Sequence, residues 1–338
     1  MKLERGRSLR FAFIDEKNKN SIAEKTFIDL DGTKIGMIIL GRDVRNPVLL
    51  VCGGGPGIPE YLLECFYSSV LPNHFVVCYF DYRGTGLSFD SKVLPAKMTT
   101  ERFLLDVDAI TKYLQERFVR EKIYIMGHSF GSYIALNAVV LHPEKYEAYL
   151  AVSQTCNQPE SEYRAYDYMY NQYDTMGDTK MVSELGKCPI RESKEFYREY
   201  CTSGLRDKAM HKLGVGTTRN MKSVISGIFF PSLRCKSYTI AERINIWRGK
   251  ANSHKFVVSD EVFNFNAFEK ITSIDIPIYF FAGEYDYTCC ESLQREYFEF
   301  LQAPEKQYYL FPDTAHSPIF ENHEMTDHIL NEIINGDK

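Results

Sequence analysis

The sequence predicts an α/β protein with a mostly parallel central sheet flanked by helices, and three observations lead to this fold class. Short apolar runs alternate with helical patterns in the first half of the chain, which is typical of strands joined by crossover helices. Pro47–Cys52 and Phe75–Asp81 are nearly continuous apolar runs, as expected for strands buried on both faces of a sheet. Two similar runs, Ile276–Ala282 and Gln307–Phe311, follow near the end of the chain.

Turn residues and hydrophobic spacing predict the remaining elements. Thr26–Leu30 and Lys34–Leu40 flank Asp31–Gly32, a dipeptide that favours a hairpin turn, so we expect the sheet to begin with an antiparallel pair. The spacing of hydrophobic residues predicts helices over Glu101–Arg120, Ser129–Leu141 and Asn322–Ile334. It predicts strands over Lys122–Met126 and Tyr149–Ser153.

The composition and hydrophobic pattern of the chain change after about Asn157. From there to about Asn264 it is rich in Tyr, Lys, Arg and Glu, and it carries helical patterns without parallel-strand signals. This stretch is too long to be a loop. We therefore expect a sheet core built from residues 1–156 and 265–338, interrupted by an inserted helical cap over residues 157–264.

Composition excludes several classes of protein. The 338 residues are 44% hydrophobic and 25% charged, an ordinary globular mixture that can bury a large core. A net charge of −5 argues against binding to a nucleic-acid backbone. No apolar run approaches the roughly 18 residues needed to cross a bilayer. The expected partner is a small molecule or a short peptide, and the oligomeric state is left open.

The start of the chain and its cysteines predict a cytoplasmic location. Met1–Arg5 is charged, and the apolar stretch Leu9–Ile14 is interrupted by Arg10 and is too short for a secretory leader. Nine cysteines occur without the paired spacing of a zinc site or a redox motif. We expect them to be reduced and mostly structural, with no metal and no organic cofactor.

The strongest local motif is Gly127–Gly131, a G-x-S-x-G sequence between a predicted strand and a predicted helix. A serine at this position sits on a strained turn that lifts its hydroxyl to the end of the sheet. The flanking glycines leave room for the backbone, and the amide of Phe130 can face a developing oxyanion. Ser129 is therefore the candidate nucleophile, against the alternative of a tight turn that contains serine by chance.

A nucleophilic serine needs a histidine base, and the histidine needs an acid that orients it. The last two predicted strands are followed by loops that supply these groups in the order acid, then histidine. His316 is the candidate base and Asp286 the candidate acid. Glu284 and Asp313 lie within a few residues and remain alternative acids.

A glycine run follows the predicted strand Pro47–Cys52 and can supply a second oxyanion donor. Gly53–Gly55 lets the backbone bend so that an amide faces the reacting carbonyl. A phosphate-binding loop is the competing interpretation, and it fails because Ile58–Glu60 follows where Gly-Lys-Ser/Thr would be required.

Taken in order, these motifs resemble the proline iminopeptidase group of the α/β-hydrolase superfamily. The motifs are Gly53–Gly57, Asp81–Ser88, Gly127–Ser132 and the loops of Asp286 and His316, which together span residues 25–155 and 265–335. The resemblance implies an α/β-hydrolase fold, a Ser129–Asp286–His316 triad, and oxyanion amides at Gly54 and Phe130. It also implies that Asp81–Ser88 supports the nucleophile turn.

The chain departs from this group at three places. Gly53 stands where the group usually has histidine, and Phe130 stands where it usually has tryptophan. The group's cap holds a free amino terminus with acidic residues beside tryptophan, whereas the only tryptophan here, Trp247, is followed by Arg248. We therefore expect substrates with a free amine to be no better than blocked ones.

Other residues of the predicted cap are candidates for substrate contact. Tyr163, Tyr166, Tyr170 and Tyr173 share one helical face, which is typical of packing but is also compatible with an aromatic substrate pocket. Glu162, Asp167 and Trp247 are further candidates, the two acids as amine partners.

Two further features are excluded as a metal site or a catalytic residue. His323 and His328 are five residues apart, whereas a helical metal motif needs four. Cys52 ends a predicted buried strand without a nearby histidine partner.

Three functions are consistent with these residues. The first is an iminopeptidase-like aminopeptidase, and the second is a carboxylesterase or amidase acting on small acyl compounds. The third is a non-catalytic homologue that binds a ligand under the cap, and an intact set of triad residues argues against it.

Overall fold

The computed structural model describes residues 4–8, 19–92, 98–257 and 260–336. Met1–Leu3 and the apolar stretch Leu9–Ile14 lie outside the described residues. Among the described residues, no helix has the length and apolar character needed to cross a membrane.

A nine-stranded sheet forms the centre of the protein, which confirms the predicted fold class. Its strands are β1 Glu4–Ser8, β2 Ile22–Leu30, β3 Thr33–Gly41, β4 Val48–Cys52, β5 Val76–Phe80, β6 Ile123–His128, β7 Tyr146–Val152, β8 Ile278–Gly283 and β9 Lys306–Phe311. Their order in the sheet is β1-β2-β3-β5-β4-β6-β7-β8-β9. The first three pairs in this order are antiparallel, and the other five are parallel.

The predicted hairpin joins β2 to β3. Leu30 pairs with Thr33 around the Asp31–Gly32 turn, where both turn residues have positive φ, 53° and 75°. This conformation matches the twist of the flanking strands, which is why a short Asp-Gly turn is a strong hairpin signal.

The central strands are buried on both faces of the sheet. In β4, Val48 and Leu50 pack into one apolar cluster, while Leu49 and Val51 pack into a second cluster on the opposite face. This burial on both sides explains the continuous apolar run in the sequence.

Helices of the core cover the two faces and follow the strands. They are α1 Tyr61–Tyr67, α2 Leu71–His74, α3 Thr100–Phe118, α4 Phe130–Leu141, α12 Ala267–Lys270, α13 Glu291–Phe300, α14 Pro318–Glu321 and α15 His323–Asn335. The Thr99 side chain accepts a hydrogen bond from the Arg102 amide and caps α3, which fixes the start of this helix just before the predicted boundary.

The segment between β7 and α12 is mostly helical. Its helices are α5 Gln158–Thr175, α6 Thr179–Gly186, α7 Lys194–Thr202, α8 Gly204–Leu213, α9 Phe230–Ser232, α10 Ile240–Val257 and α11 Asp260–Phe263. A cluster of buried residues from α5, α6, α7 and α8, including Met169, Leu185 and Tyr200, forms its own small core. We propose that these inserted helices act as a cap over the end of the sheet.

Candidate active site

Ser129 lies on a sharp turn between β6 and α4, with φ 55° and ψ −124°. A side chain at either flanking glycine would collide with neighbouring backbone. A Cβ on Gly127 would lie 2.5 Å from the Cα of Ser132, and a Cβ on Gly131 would lie 1.8 Å from the carbonyl oxygen of Cys52. The close approach of α4 to β6 therefore requires glycine at 127, and its close approach to the end of β4 requires glycine at 131.

Hydrogen bonds hold the Ser129 turn in place. Its carbonyl oxygen accepts from the Ser132 amide at 2.9 Å, from the Ser132 hydroxyl at 2.6 Å and from the Thr155 hydroxyl at 3.0 Å. The Ser129 amide donates to the Val152 carbonyl at 3.2 Å. A residue held in an uncommon backbone conformation needs such support from its surroundings.

Asp286 and His316 meet at the carboxyl ends of the last two strands. The Nδ1 atom of His316 lies 3.1 Å from each carboxylate oxygen of Asp286. The Asp286 side chain is fully buried, and its Oδ1 also accepts from the amides of Thr288 and Cys289, both at 2.9 Å. Burial raises the pKa of Asp286, but His316 and the Cys289 amide outweigh it and hold the pKa below its usual range.

The two alternative acids have other partners. Glu284 accepts from the Asp313 amide at 2.9 Å. The carboxylate of Asp313 is exposed and lies 3.2 Å from Nε of Arg219. Of the three candidate acids, Asp286 is the one that the structure places against His316.

The glycine loop after β4 differs from the prediction at Gly54. The Gly54 amide donates to Oε2 of Glu60 at 3.0 Å, so its hydrogen points at a carboxylate and is not available to an oxyanion. The predicted donor role of Gly54 is therefore wrong for this structure. The next residue, Gly55, lines both cavities that contain Ser129, and its amide has no hydrogen-bond partner within the part of the chain that the structure describes.

A buried pair of side chains, which the sequence analysis did not single out, lies beside the Ser129 turn. Glu60 and His128 are 5% and 3% exposed, and Oε1 of Glu60 lies 2.7 Å from Nδ1 of His128. The other ring nitrogen of His128 donates to the carbonyl oxygen of His316 at 2.7 Å. The pair thus connects the Gly54 amide to the main chain of His316.

The hydrogen bonds of this pair define its protonation. Because a carbonyl can only accept, Nε2 of His128 carries a hydrogen. Burial raises the pKa of Glu60, yet His128 and the Gly54 amide outweigh it and lower the pKa overall. Burial lowers the pKa of His128, yet Glu60 and the His316 carbonyl raise it overall. Both directions favour an imidazolium paired with a carboxylate.

Among the residues that the structure describes, two cavities contain Ser129. One, of about 360 Å³, lies between the Ser129 turn and the inserted helices, and its wall includes Phe130, Thr155, Phe263 and Phe265. The other, of about 120 Å³, is lined by both Ser129 and His316 and by apolar side chains of α1. The nucleophile candidate therefore has space on two sides.

Charged residues of the inserted helices line the larger cavity. Glu162 is 2% exposed and receives two hydrogen bonds from Arg206, at 2.6 and 2.8 Å. Asp207 and Lys250 line the same cavity. Burial lowers the pKa of Lys250. The formal charges of these four side chains sum to zero when each is ionised.

The other predicted substrate contacts have structural roles. Tyr163 packs against Tyr197 with Arg191 over its ring, Tyr166 donates to the Leu185 carbonyl at 2.8 Å, and Tyr170 stacks on Tyr166. None of these three tyrosines lines either of these two cavities, and their contact with substrate stays a prediction. The tyrosine face packs helices together.

The side chains of Trp247 and Arg248 also contact residues outside these two cavities. The indole of Trp247 donates to the Ser232 hydroxyl at 2.9 Å and packs edge-on against Phe229. The Arg248 guanidinium lies 4.5 Å from the centre of the Phe89 ring. Neither residue lines these two cavities at Ser129, and the contact of Trp247 with substrate stays a prediction.

His323, His328 and Cys52, which are not candidates for metal binding or catalysis, have other surroundings. His323 lies 3.1 Å from the Ser68 carbonyl, and His328 lies 3.1 Å from Glu332. Cys52 is fully buried, and burial raises its pKa. Among the described residues, no group of three or more His, Cys, Asp or Glu side chains is arranged to hold a metal ion.

Comparison with known proteins supports the fold described above. A sequence profile of the alpha/beta hydrolase fold matches residues 47–323. A probable aminopeptidase of Bacillus subtilis (strain 168) is 30% identical over 312 residues, which are 90% of this chain and 93% of the relative. A proline iminopeptidase of Thermoplasma volcanium is 22% identical over 280 residues, 79% of this chain and 83% of the relative.

Solved structures show the same fold. A proline iminopeptidase-related protein from Thermus thermophilus has a TM-score of 0.64 at 17% identity, over 93% of this chain and 98% of that one. The proline iminopeptidase of Mycobacterium smegmatis has a TM-score of 0.67 at 13% identity, over 92% of this chain and 97% of that one. The chain therefore belongs to the α/β hydrolase fold family and is a hydrolase that resembles proline iminopeptidases and aminopeptidases.

Proposed function

We propose that the protein is a serine hydrolase that cleaves an ester, amide or peptide bond of a small substrate through an acyl-enzyme. Ser129 is the nucleophile, His316 the general base and Asp286 the acid that orients it. The observation that carries this proposal is the placement of His316, which contacts both oxygens of a buried Asp286 and shares a cavity with Ser129. A histidine oriented by a buried acid and placed in the cavity of a serine is part of the arrangement that acyl transfer by serine requires.

The reaction would run in two steps. His316 accepts the Ser129 proton as the serine oxygen attacks the carbonyl carbon, and it returns that proton to the leaving group as the bond to the carbonyl breaks. A water molecule then gives its proton to His316 and attacks the acyl-enzyme. The carboxylic acid leaves, and Ser129 regains its proton.

We assign the oxyanion donors to the amides of Phe130 and Gly55. Phe130 follows the nucleophile at the start of α4, where the first amides of a helix point away from the helix. Gly55 replaces Gly54 in this assignment because the Gly54 amide is already bonded to Glu60. Preorganised amides of this kind stabilise the charge that develops on the substrate oxygen.

The Glu162–Arg206 pair favours a neutral acyl group. An ammonium ion in the larger cavity needs a carboxylate whose charge is not already balanced, and Glu162 is balanced by two hydrogen bonds from Arg206. The aromatic wall formed by Phe130, Phe263 and Phe265 suits an apolar acyl group. A carboxylesterase or amidase acting on neutral acyl substrates fits this cavity.

An aminopeptidase is the second candidate, and two observations favour it. The similar protein from Bacillus subtilis is named a probable aminopeptidase. In addition, Glu162 is a buried carboxylate of the inserted helices that lines the same cavity as Ser129, as an amine partner would have to do.

Matched substrates distinguish the two candidates. Proline and alanine p-nitroanilides are compared with their N-acetylated forms and with p-nitrophenyl acetate and butyrate. The cavity predicts that the N-acetylated anilides are hydrolysed at least as well as the free amines. A strong preference for the free amine would assign the protein to the aminopeptidases. A folded protein that turns over none of these compounds and stays unmodified by a fluorophosphonate would instead be a ligand-binding homologue.

A further inference from the structure

Two cysteine sulfurs from distant parts of the chain lie in direct contact. Sγ of Cys65 is 3.0 Å from Sγ of Cys235, although 170 residues separate the two along the sequence. Cys65 belongs to α1 of the sheet core, and Cys235 lies between α9 and α10 of the inserted helices. A disulfide requires a sulfur separation of roughly 2.05 Å, so the two atoms need to approach by only about 1 Å.

We propose that Cys65 and Cys235 form a reversible disulfide that links the inserted helices to the sheet core. The two thiols are free in this structure, which is the reduced form. The oxidant would be a small disulfide of the glutathione class. This site is independent of the hydrolytic activity proposed above.

The contacts around the pair hold its two segments together before any bond forms. The Tyr61 hydroxyl, one turn before Cys65, lies 2.7 Å from the Ser237 hydroxyl, two residues after Cys235. Lys25 of β2 donates to Glu242 of α10 at 2.7 Å. Because these two contacts already join the sheet core to the segment that follows Cys235, closing the disulfide requires little rearrangement.

The pair favours a thiolate on Cys235, whereas the hydrogen bond to Cys235 and burial raise the pKa of Cys65, so Cys65 attacks only after passing its proton to Cys235. The hydrogen bond between the two sulfurs lowers the pKa of Cys235 despite its burial, and Ser237 and Arg243 act in the same direction. A thiolate is the form that attacks a disulfide sulfur. Cys65 is half-buried, so it is the sulfur of the pair that an oxidant can reach, whereas Cys235 is 1% exposed.

The exchange is balanced with one molecule of glutathione disulfide. Cys65 passes its proton to the Cys235 thiolate, and its sulfur attacks one glutathione sulfur, so a mixed disulfide forms and the first glutathione leaves. Cys235 then loses its proton, attacks Cys65 Sγ and displaces the second glutathione. The two cysteines lose two electrons and the one proton that they share, and glutathione disulfide accepts them, so one glutathione leaves as a thiol and the other as a thiolate.

The disulfide would fix one wall of the active-site region. Four side chains of α1, Leu62, Leu63, Phe66 and Tyr67, line the cavity that Ser129 and His316 share. Joining Cys65 to Cys235 therefore ties this wall to the inserted helices. A cross-link over such a long loop also restricts the unfolded chain, so the oxidised protein should melt several degrees above the reduced one.

Peptide mapping of the full chain tests the proposal. The protein is incubated with glutathione disulfide, blocked with N-ethylmaleimide, digested with chymotrypsin without reductant and analysed by mass spectrometry. We expect Glu64–Phe66 to be linked to Arg234–Tyr238, and dithiothreitol to release the link. The link should be absent in Cys65→Ser and Cys235→Ser and retained in Cys188→Ser, which removes another half-buried cysteine of the inserted helices.

The wild-type digest decides the outcome even if a variant fails to fold. The proposal is overturned if both cysteines remain blocked by N-ethylmaleimide after the incubation. It is also overturned if Cys65 stays joined to glutathione without forming the link to Cys235.

Discussion

Glu60 Oε1 lies 2.7 Å from Nδ1 of His128, and this buried pair connects three parts of the candidate active site. Glu60 holds the amide of Gly54 in the glycine loop, and His128 immediately precedes the nucleophile. On the other side of the ring, Nε2 of His128 donates a hydrogen bond to the carbonyl oxygen of His316. The pair therefore sets the positions of the glycine loop and of the His316 main chain relative to Ser129.

Breaking this pair should affect stability and turnover together. Glu60→Ala leaves a buried imidazolium without its partner, and we expect a loss of about 3–5 kcal/mol in the free energy of unfolding. Glu60→Gln should lose less, because its oxygen can accept from Gly54 and its amide can donate to a neutral His128. Denaturant unfolding and steady-state kinetics measure both effects.

Glu64→Gln is the matched control for this prediction. Glu64 is a buried carboxyl of α1, the helix that begins directly after Glu60, but it contacts Ser69 and Tyr79 and not the Ser129 turn. We expect it to keep the wild-type kcat, while Glu60→Ala lowers kcat by about tenfold or more. Wild-type kcat in a folded Glu60→Ala protein would show that the pair has no positioning role.

Asp286→Asn should lower kcat by roughly 10⁴, the effect of an orienting acid that no longer stabilises the correct histidine tautomer. The change keeps the volume of the side chain, so KM should change little. Glu284→Gln and Asp313→Asn are the matched controls and should keep wild-type kcat, because their carboxylates contact other groups. If Asp286→Asn retained full turnover while one control lost it, the acid would have to be reassigned.

Asp81 should make stability fall as pH rises. The carboxyl is 3% exposed and accepts from the Leu87 amide, and burial raises its pKa to about 7. Between the model-peptide pKa of about 3.9 and 7, the folded protein binds this proton more tightly than the unfolded chain does. The free energy of unfolding of the wild type should therefore decline, relative to Asp81→Asn, from pH 4 to pH 7. Urea titrations across this range would contradict the assignment if the difference between the two proteins stayed constant.

Removing the cation beside Glu162 should change substrate preference. In Arg206→Met the Glu162 carboxylate loses its partner and becomes available to an ammonium ion. We expect the ratio of kcat/KM for proline p-nitroanilide over its N-acetylated form to rise by about tenfold, equivalent to roughly 1.4 kcal/mol. Arg191→Met is the control, since Arg191 pairs with Asp167 on the surface. An unchanged ratio in Arg206→Met would show that Glu162 does not contact the acyl group's amine.

The sequence was sufficient to predict the fold and to name the candidate triad residues in their order along the chain. Buried strands give apolar runs, and the glycines at 127 and 131 are required by backbone contacts that any side chain would break. Asp286 and His316 follow the last two strands, and parallel strands bring their carboxyl ends to one edge of the sheet. These signals are local, so they can be recognised without a structure.

The parts that the sequence did not predict depend on contacts between distant residues. The Gly54 amide is occupied by Glu60, a partner that its own position does not reveal. The tyrosines of α5 follow a helical period whether they face a substrate or another helix, and here they face helices. A histidine inside the nucleophile motif was the one available signal for the Glu60–His128 pair, and its acidic partner lies 68 residues away.

Identification of the residue that reacts with a fluorophosphonate tests the central claim most directly. The folded protein is treated with the reagent, digested and mapped by mass spectrometry, with Ser129→Ala treated in parallel. The account predicts a single phosphonate adduct on Ser129, formed slowly in Asp286→Asn and absent in Ser129→Ala. A folded wild-type protein that remains unmodified, or that carries the adduct on another residue, would contradict it.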